Sequence, residues 1–249
     1  MEKVKLKKEN YVALMRGVKI FVDDKATQKK GYKILTKVVQ RFELESVDEL
    51  AEIKQEITPM MKGQATKQRL QLIHSFVKAI YRFKDDVNNK ETLPKILALI
   101  QSMIIELITA INIPNLKTRK LAEEIFRSIS AILSHFNAVP QLLQMLLVGI
   151  AGTKPQMQSN TIRALIFNMK TNLTLRVFET KAEDSEEEDN DGLSVNKLLA
   201  STDKVQDFLR KVTKIVALFL KDATAPKELH RSVLKFLKIV ITYLSFGTG

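Results

Sequence analysis

Residues 116–136 show apolar and charged positions that alternate with the period of an α-helix. Counting back from Phe136, apolar side chains recur every three or four residues and define one helix face, while charged side chains occupy the other. Asn115 precedes the segment, and its carboxamide is suited to accept from the free N–H groups of the first turn. Because a single amphipathic helix cannot bury its apolar face alone, the pattern predicts packing against similar helices.

The same pattern recurs along the chain. Residues 26–42 and 65–83 align with residues 117–136, because each segment opens with a Thr-containing basic turn and ends on a basic residue or His followed by Phe. Residues 156–173 and 225–244 match more weakly. More uniformly apolar helices are predicted between these segments, over residues 10–21, 47–61, 93–113, 140–150 and 203–220.

This alternation predicts an all-α protein, specifically a HEAT/armadillo-type α-solenoid of about five helix pairs with a period of roughly 40 residues. We expect residues 1–249 to form a single helical-repeat domain. The alternative is an irregular helical bundle without a true repeat. Within the second predicted helix, Pro59 predicts a kink, because proline cannot donate the hydrogen bond that the helix requires there.

Charge is distributed unevenly along the chain. The formal net charge is +12, yet residues 183–191 contain seven acidic side chains and no basic one, so the other 240 residues carry +19. We expect residues 180–192 to form an acidic, disordered loop within the domain, since they contain too little apolar surface to order themselves. A body this basic suits a polyanionic partner, most simply RNA. An ordinary solvated lysine-rich surface explains the charge equally well.

Catalytic and metal-binding patterns do not occur in the sequence. The chain has no cysteine, no glycine-rich phosphate loop and no HExxH or GxSxG motif, and its three histidines, His74, His135 and His230, fall in different repeats. We expect surface or groove positions for them. The sequence therefore predicts a protein that is not an enzyme, with no cofactor, no metal and no small-molecule substrate. Residues 93–113 are the most apolar stretch, but polar side chains interrupt them, which predicts a buried helix and no membrane span.

Basic residues at the starts of the second helices form the candidate binding site. In a stacked solenoid, equivalent positions fall in a row, and a row of cations suits phosphate contacts that do not read the bases. Ordinary solvation of helix starts is the alternative explanation. The candidate stripe consists of Lys29, Lys30, Lys67, Arg69, Lys117, Arg119, Lys120, Arg163, Lys227 and Arg231.

Ser185 lies inside the acidic run and is followed by three glutamates. A serine in this setting resembles the substrate of an acidophilic kinase, which makes Ser185 a phosphorylation candidate. An unmodified, solvated serine is the alternative. Phosphate there would add nearly two negative charges to a segment that we expect to compete weakly with RNA for the basic stripe.

Two stretches resemble a known family. Residues 114–133 contain Lys117-Thr118-Arg119 followed by Leu121-Ala122, and residues 149–170 contain two glycines followed by a serine-bearing helix. Together they resemble the central region of the ribosomal RNA-processing protein 12-like family, large HEAT-repeat factors of ribosome biogenesis.

The resemblance implies a nuclear and nucleolar scaffold that binds pre-ribosomal RNA and ribosome assembly proteins during maturation of the small subunit. The alternative is an importin-like or other protein-only scaffold that binds peptides in its concave face.

Overall fold

The computed structural model describes residues 8–63, 65–84, 90–150, 154–179 and 202–246. Within these ranges the chain forms ten α-helices and no strand, which confirms the all-α prediction. We number the helices α1 (Lys8–Asp23), α2 (Gln28–Arg41), α3 (Val47–Ile57), α4 (Thr66–Ile80), α5 (Thr92–Ala110), α6 (Leu116–His135), α7 (Val139–Leu146), α8 (Pro155–Glu179), α9 (Thr202–Lys221) and α10 (Lys227–Phe246).

The predicted helices appear in the predicted order, with ends displaced by a few residues. The largest change concerns Pro59, where we expected a kink late in a continuous helix. Instead α3 ends at Ile57, and residues Thr58–Met60 form a 3₁₀ turn. Proline has no N–H to donate, so the α-helical hydrogen-bond ladder stops here. Similar 3₁₀ turns follow α4 at Tyr81–Phe83 and α7 at Leu147–Gly149.

The predicted cap of α6 is present. The Asn115 Oδ1 atom accepts from the Thr118 backbone N at 3.0 Å and from the Thr118 hydroxyl at 3.1 Å. At the start of α3, the Ser46 hydroxyl accepts from the backbone N of Glu49 at 3.3 Å, and the Glu49 carboxylate accepts from the backbone N of Glu45 at 2.9 Å. Both helices therefore begin where a short polar side chain satisfies N–H groups of the first turn.

The chain divides into two compact units, Met1–Ile132 and Leu133–Gly249. In the first unit, α2 packs against α1 and α4, while α3 and α5 pack against each other and both contact α4. The side chains of α6 that face this unit include Ile125, Phe126 and Ile129, all fully buried. Whether residues 1–249 act as one domain stays a prediction.

In the second unit, α8 packs against α10 and α7, and α9 packs against α10 and α7. Its buried apolar side chains include Ile162 and Leu165 of α8 together with Val233 and Phe236 of α10. The Ser159 and Ser232 hydroxyls lie 3.0 Å apart in this interface, so α8 and α10 also share a buried hydrogen bond.

Helix α5 is the most apolar helix in the described part of the chain, and it alone there is long and apolar enough to cross a membrane by length and composition. Its buried side chains, among them Ile96, Ile100 and Ile104, recur with the helical period and face α3 and α4. Less than half of its most apolar stretch is buried, so one face belongs to the core, whereas the sequence predicted a helix buried on most sides.

Tyr32 joins α2 to the turn that follows α3. Its side chain is fully buried, and its hydroxyl lies 2.7 Å from the carbonyl oxygen of Met60 and 2.6 Å from that of Lys62. The same hydroxyl oxygen accepts from the backbone N of Lys62 at 2.9 Å. Burial raises the pKa of Tyr32, because a phenolate would be poorly solvated there.

Candidate nucleic-acid interface

Helices α2 and α4 carry basic side chains and no acidic ones. On α2, Lys29, Lys33 and Lys37 follow one another at steps of four residues, so they lie along one helix face. All three are exposed, whereas Leu35 and Val39 on the opposite side are fully buried. The need to bury the apolar face therefore forces the lysines of α2 onto a common exposed face.

A cavity of about 450 Å³ lies where α2, α4 and α6 meet in the first unit. Its volume falls within the range of roughly 300–1,000 Å³ that is usual for ligand sites. No acidic side chain lines it. We call this cavity the basic groove and define it by its lining residues: Lys33, Thr36, Lys37, Gln40, Gln71, His74, Ser75, Lys78 and Leu121.

The lysines of the basic groove are its unpartnered charges. Among the described residues, no carboxylate forms an ion pair with Lys33, Lys37 or Lys78. In contrast, the hydroxyls of the groove donate to their own helices, Thr36 to the carbonyl of Tyr32 at 2.8 Å and Ser75 to that of Leu72 at 2.7 Å. The groove therefore offers an incoming anion three ammonium groups, each of which can donate hydrogen bonds to phosphate oxygens.

His74 is, with Ser75, one of the two buried lining residues of the basic groove. Its side chain is 11% exposed, and its Nε2 atom lies 3.8 Å from the Oε1 atom of Glu124, whose side chain is 59% exposed. Burial and the nearby Lys78 lower the pKa of His74, and Glu124 opposes them. The unliganded groove therefore favours the neutral imidazole near pH 7, consistent with the expected groove position for this histidine.

Five residues of the predicted stripe extend the basic groove along its helices. Lys29 and Lys30 precede Lys33 on α2 by four and three residues, and Lys67 precedes Gln71 on α4 by four. Lys117 and Lys120 precede Leu121 and Glu124 on α6 by four. All five are exposed. Four of the spacings put the lysine on the helix face that carries a lining residue. Lys120 instead shares its face with Glu124, which approaches His74 but does not line the groove.

Arg69 has a different environment from its neighbours in the stripe. Its Nε atom lies 2.6 Å from the Oε1 atom of Glu106 on α5, with side-chain exposures of 14% and 22%. The guanidinium also donates to the carbonyl of Gly63. Arg119, another stripe residue, is only partly exposed. The guanidinium of Arg69 thus bridges α4, α5 and the turn before α4, and its role as an RNA contact stays a prediction.

The second unit contains the remaining stripe residues. Arg163 on α8 forms an ion pair with Glu228 on α10, whereas Lys227 and Arg231 are exposed on α10. Ser185 and the predicted loop over residues 180–192 lie outside the described residues. No group of three or more potential metal ligands occurs in the described part of the chain.

Sequence reasoning did not assign Lys33, Lys37, Lys78 and His74 to the binding site. The predicted stripe contains only basic residues at the starts of the second helices, and these four residues lie one to three turns further along α2 and α4. The sequence feature that indicates Lys33 and Lys37 is the four-residue spacing that continues from Lys29 through Lys37. What the sequence could not supply was the third wall of the groove, which Leu121 of α6 provides.

No family model matches this sequence, and no curated protein matches it. A search of solved structures returned the crystal structure of an engineered protein, with a TM-score of 0.33 and 11% sequence identity, over 91% of this chain and 97% of that one. A similarity this low carries no argument about fold family or function.

Proposed function

We propose that this protein is a non-catalytic helical scaffold that binds RNA through the basic groove of its first unit. The observation that carries the proposal is the set of three groove lysines, Lys33, Lys37 and Lys78, with no acidic partner among the described residues. Like charges held close together repel one another, and a phosphate backbone relieves that repulsion while releasing counterions.

The groove favours contact with the backbone of a nucleic acid over reading of its bases. Its cations are lysines, which act as mobile point charges and lack the flat, two-pronged donor geometry that arginine offers to guanine. No phenylalanine, tyrosine or tryptophan side chain lines the groove, so stacking of bases on such rings is not part of the expected binding mode. We therefore expect affinity that depends steeply on salt and weakly on sequence.

The finer fold assignment, a HEAT/armadillo-type α-solenoid of about five helix pairs, belongs to this proposal. The packing of α2 on α4 and of α3 on α5 supports it, as does the packing of α8 on α10 and of α7 on α9. Each of these four contacts joins helices of like position in neighbouring pairs, as stacking of repeats requires.

A role in maturation of the small ribosomal subunit, in the nucleus and nucleolus, rests on the resemblance of residues 114–133 and 149–170 to the ribosomal RNA-processing protein 12-like family. In this proposal the partners are pre-ribosomal RNA and ribosome assembly proteins. Fractionation of the tagged chain with pre-ribosomal particles tests the cellular part of the proposal separately from the chemistry of the groove.

The test of the groove is the salt dependence of affinity for a labelled single-stranded oligouridylate. Replacing Lys33, Lys37 and Lys78 together by glutamine should weaken binding and flatten the slope of log K against log salt by about two units, at about 0.7 for each lost phosphate contact. The matched control replaces three exposed lysines of the second unit by glutamine, Lys211, Lys214 and Lys235. It makes the same change in net charge and should leave the slope nearly unchanged.

Equal losses in the two triple variants would mean that net charge alone attracts RNA and would refute the groove as the site. An importin-like, protein-only scaffold makes the opposite prediction: negligible RNA affinity in the unaltered chain, with binding to peptides instead.

A further inference from the structure

His74 is surrounded by charges from each helix that borders the basic groove. Lys33 and Lys37 of α2 line the same cavity, Lys78 lies one turn further along α4, and Glu124 approaches from α6. The imidazole is thus a titratable group inside a site to which α2 and α4 contribute ammonium groups. Helix α6 contributes the Glu124 carboxylate and, nearer its start, the exposed Lys117 and Lys120.

In the absence of an anion, this setting opposes protonation of the imidazole. Burial and Lys78 both lower the pKa of His74, while the partial counter-charge of Glu124 acts in the other direction. The 3.8 Å between His74 Nε2 and Glu124 Oε1 exceeds hydrogen-bond length, so the carboxylate compensates only weakly. A phosphate group lying among the three lysines would reverse the balance, because its negative charge favours the imidazolium.

We propose that His74 takes up one proton when a phosphate group of a bound polyanion enters the basic groove, so that binding tightens as the pH falls. The inference rests on the proposed function, since it assigns a proton-coupled phosphate subsite within the same groove. The proton comes from solvent, and the resulting N–H donates to a phosphate oxygen in place of the distant Glu124 carboxylate. No covalent bond forms or breaks.

Thermodynamic linkage gives the size of the effect. Uptake of one proton makes affinity rise by up to about tenfold for each unit by which the pH falls, between the pKa of His74 in the bound state and that in the free state. Uptake of less than a whole proton gives a proportionally smaller rise. Glu124 competes with the phosphate for the imidazolium, so its removal should tighten binding without abolishing the dependence on pH.

The test measures the affinity of the full chain for a labelled oligouridylate at about pH 6 and about pH 8, at constant ionic strength. We expect several-fold tighter binding at the lower pH for the unaltered protein, and a nearly flat profile for His74→Gln, whose side chain cannot take up a proton. The matched control is His135→Gln, which removes a histidine that does not line the groove. This control, like Glu124→Gln, should keep the dependence on pH.

Calorimetry of the same titration near pH 7, in two buffers of different ionisation enthalpy, counts the protons directly. A measurable uptake in the unaltered protein that disappears in His74→Gln supports the proposal. Unchanged dependence on pH in a folded His74→Gln variant, with RNA affinity retained, would overturn it and leave the proposed function intact. Absence of oligouridylate binding by the unaltered chain at either pH would instead refute the proposed function.

Discussion

Replacing Arg69 by methionine should lower the free energy of unfolding by about 2–3 kcal/mol. Methionine keeps the aliphatic length of arginine but removes the guanidinium that pairs with Glu106 at 2.6 Å and donates to the Gly63 carbonyl. A hydrogen bond to a charged group contributes about 1.5–3 kcal/mol. Breaking a fully buried ion pair costs about 3–5 kcal/mol, and the partial exposure of both side chains favours the lower part of the combined range.

A double-mutant cycle with Glu106→Gln isolates the pair. Glu106 also interacts favourably with the buried Lys54. Burial lowers the pKa of Lys54, and the negative charge of Glu106 acts in the opposite direction. Arg69→Met removes one of the two cations near Glu106, and Glu106→Gln removes the carboxylate from both Arg69 and Lys54. The double variant should therefore be less destabilised than the sum of the singles, by about 1–2 kcal/mol. The assay is urea denaturation followed by far-ultraviolet circular dichroism. Lys67→Gln, at an exposed position two residues earlier, should change stability by less than about 0.5 kcal/mol.

Arg69 was part of the stripe predicted to contact RNA, so the same variants distinguish a structural residue from a binding one. We expect Arg69→Met to alter stability and Lys67→Gln to alter RNA affinity. A methionine variant with unchanged unfolding free energy but weakened RNA binding would refute this expectation and would indicate that the Arg69 guanidinium contacts RNA.

Three other predictions concern the core, the helix starts and alkaline pH. Ile125→Ala should destabilise by about 2–5 kcal/mol in urea titration, because the side chain is fully buried, whereas Glu123→Ala, at a partly exposed position, should cost less than about 0.5 kcal/mol. Equal costs would place the wrong face of α6 inward. Glutamine at all three basic positions at the start of α6 should weaken binding similarly for unrelated single-stranded RNA sequences. It should flatten the salt slope by up to about two units, at about 0.7 for each lost phosphate contact, while loss for one sequence only would indicate base readout. Because the pKa of Tyr32 is raised, its stabilising contribution is complete below the ordinary tyrosine pKa. The free energy of unfolding then falls as the pH rises toward the raised value, by up to about 1.4 kcal/mol per pH unit. Tyr32→Phe should lack this alkaline loss in urea titrations repeated across pH. The three basic positions changed to glutamine at the start of α6 are Lys117, Arg119 and Lys120.

Local chemistry explains what the sequence could predict about the fold. The period of apolar positions identified the helices because burial of one face is decided within each segment, and Asn115 marked the start of α6 because capping involves only neighbouring residues. Pro59 signalled a disruption correctly, but a kink and a change to a 3₁₀ turn are both compatible with a missing N–H.

The candidate site was harder to predict because it depends on contacts between segments. Nothing near Arg69 in the sequence distinguishes it from Lys67, since its partner Glu106 lies 37 residues away. The lysines of the basic groove were visible as an exposed face of α2, yet their grouping with Lys78 and His74 requires α4 and α6 to lie beside that face. Tertiary packing supplied that information.

The contacts of Tyr32 have a consequence for how the first unit opens. Its hydroxyl binds the backbone of Met60 and Lys62, in a turn whose Lys62 side chain is exposed to solvent. Such a turn would ordinarily fray on its own and exchange its amide hydrogens quickly. Here the Lys62 amide donates both to the Met60 carbonyl and to the buried phenol, each at 2.9 Å. We therefore expect it to exchange mainly when the phenol leaves its buried position in α2, so that the turn and α2 open as one cooperative unit. A surface turn thereby acquires the slow hydrogen exchange of the helix that holds it.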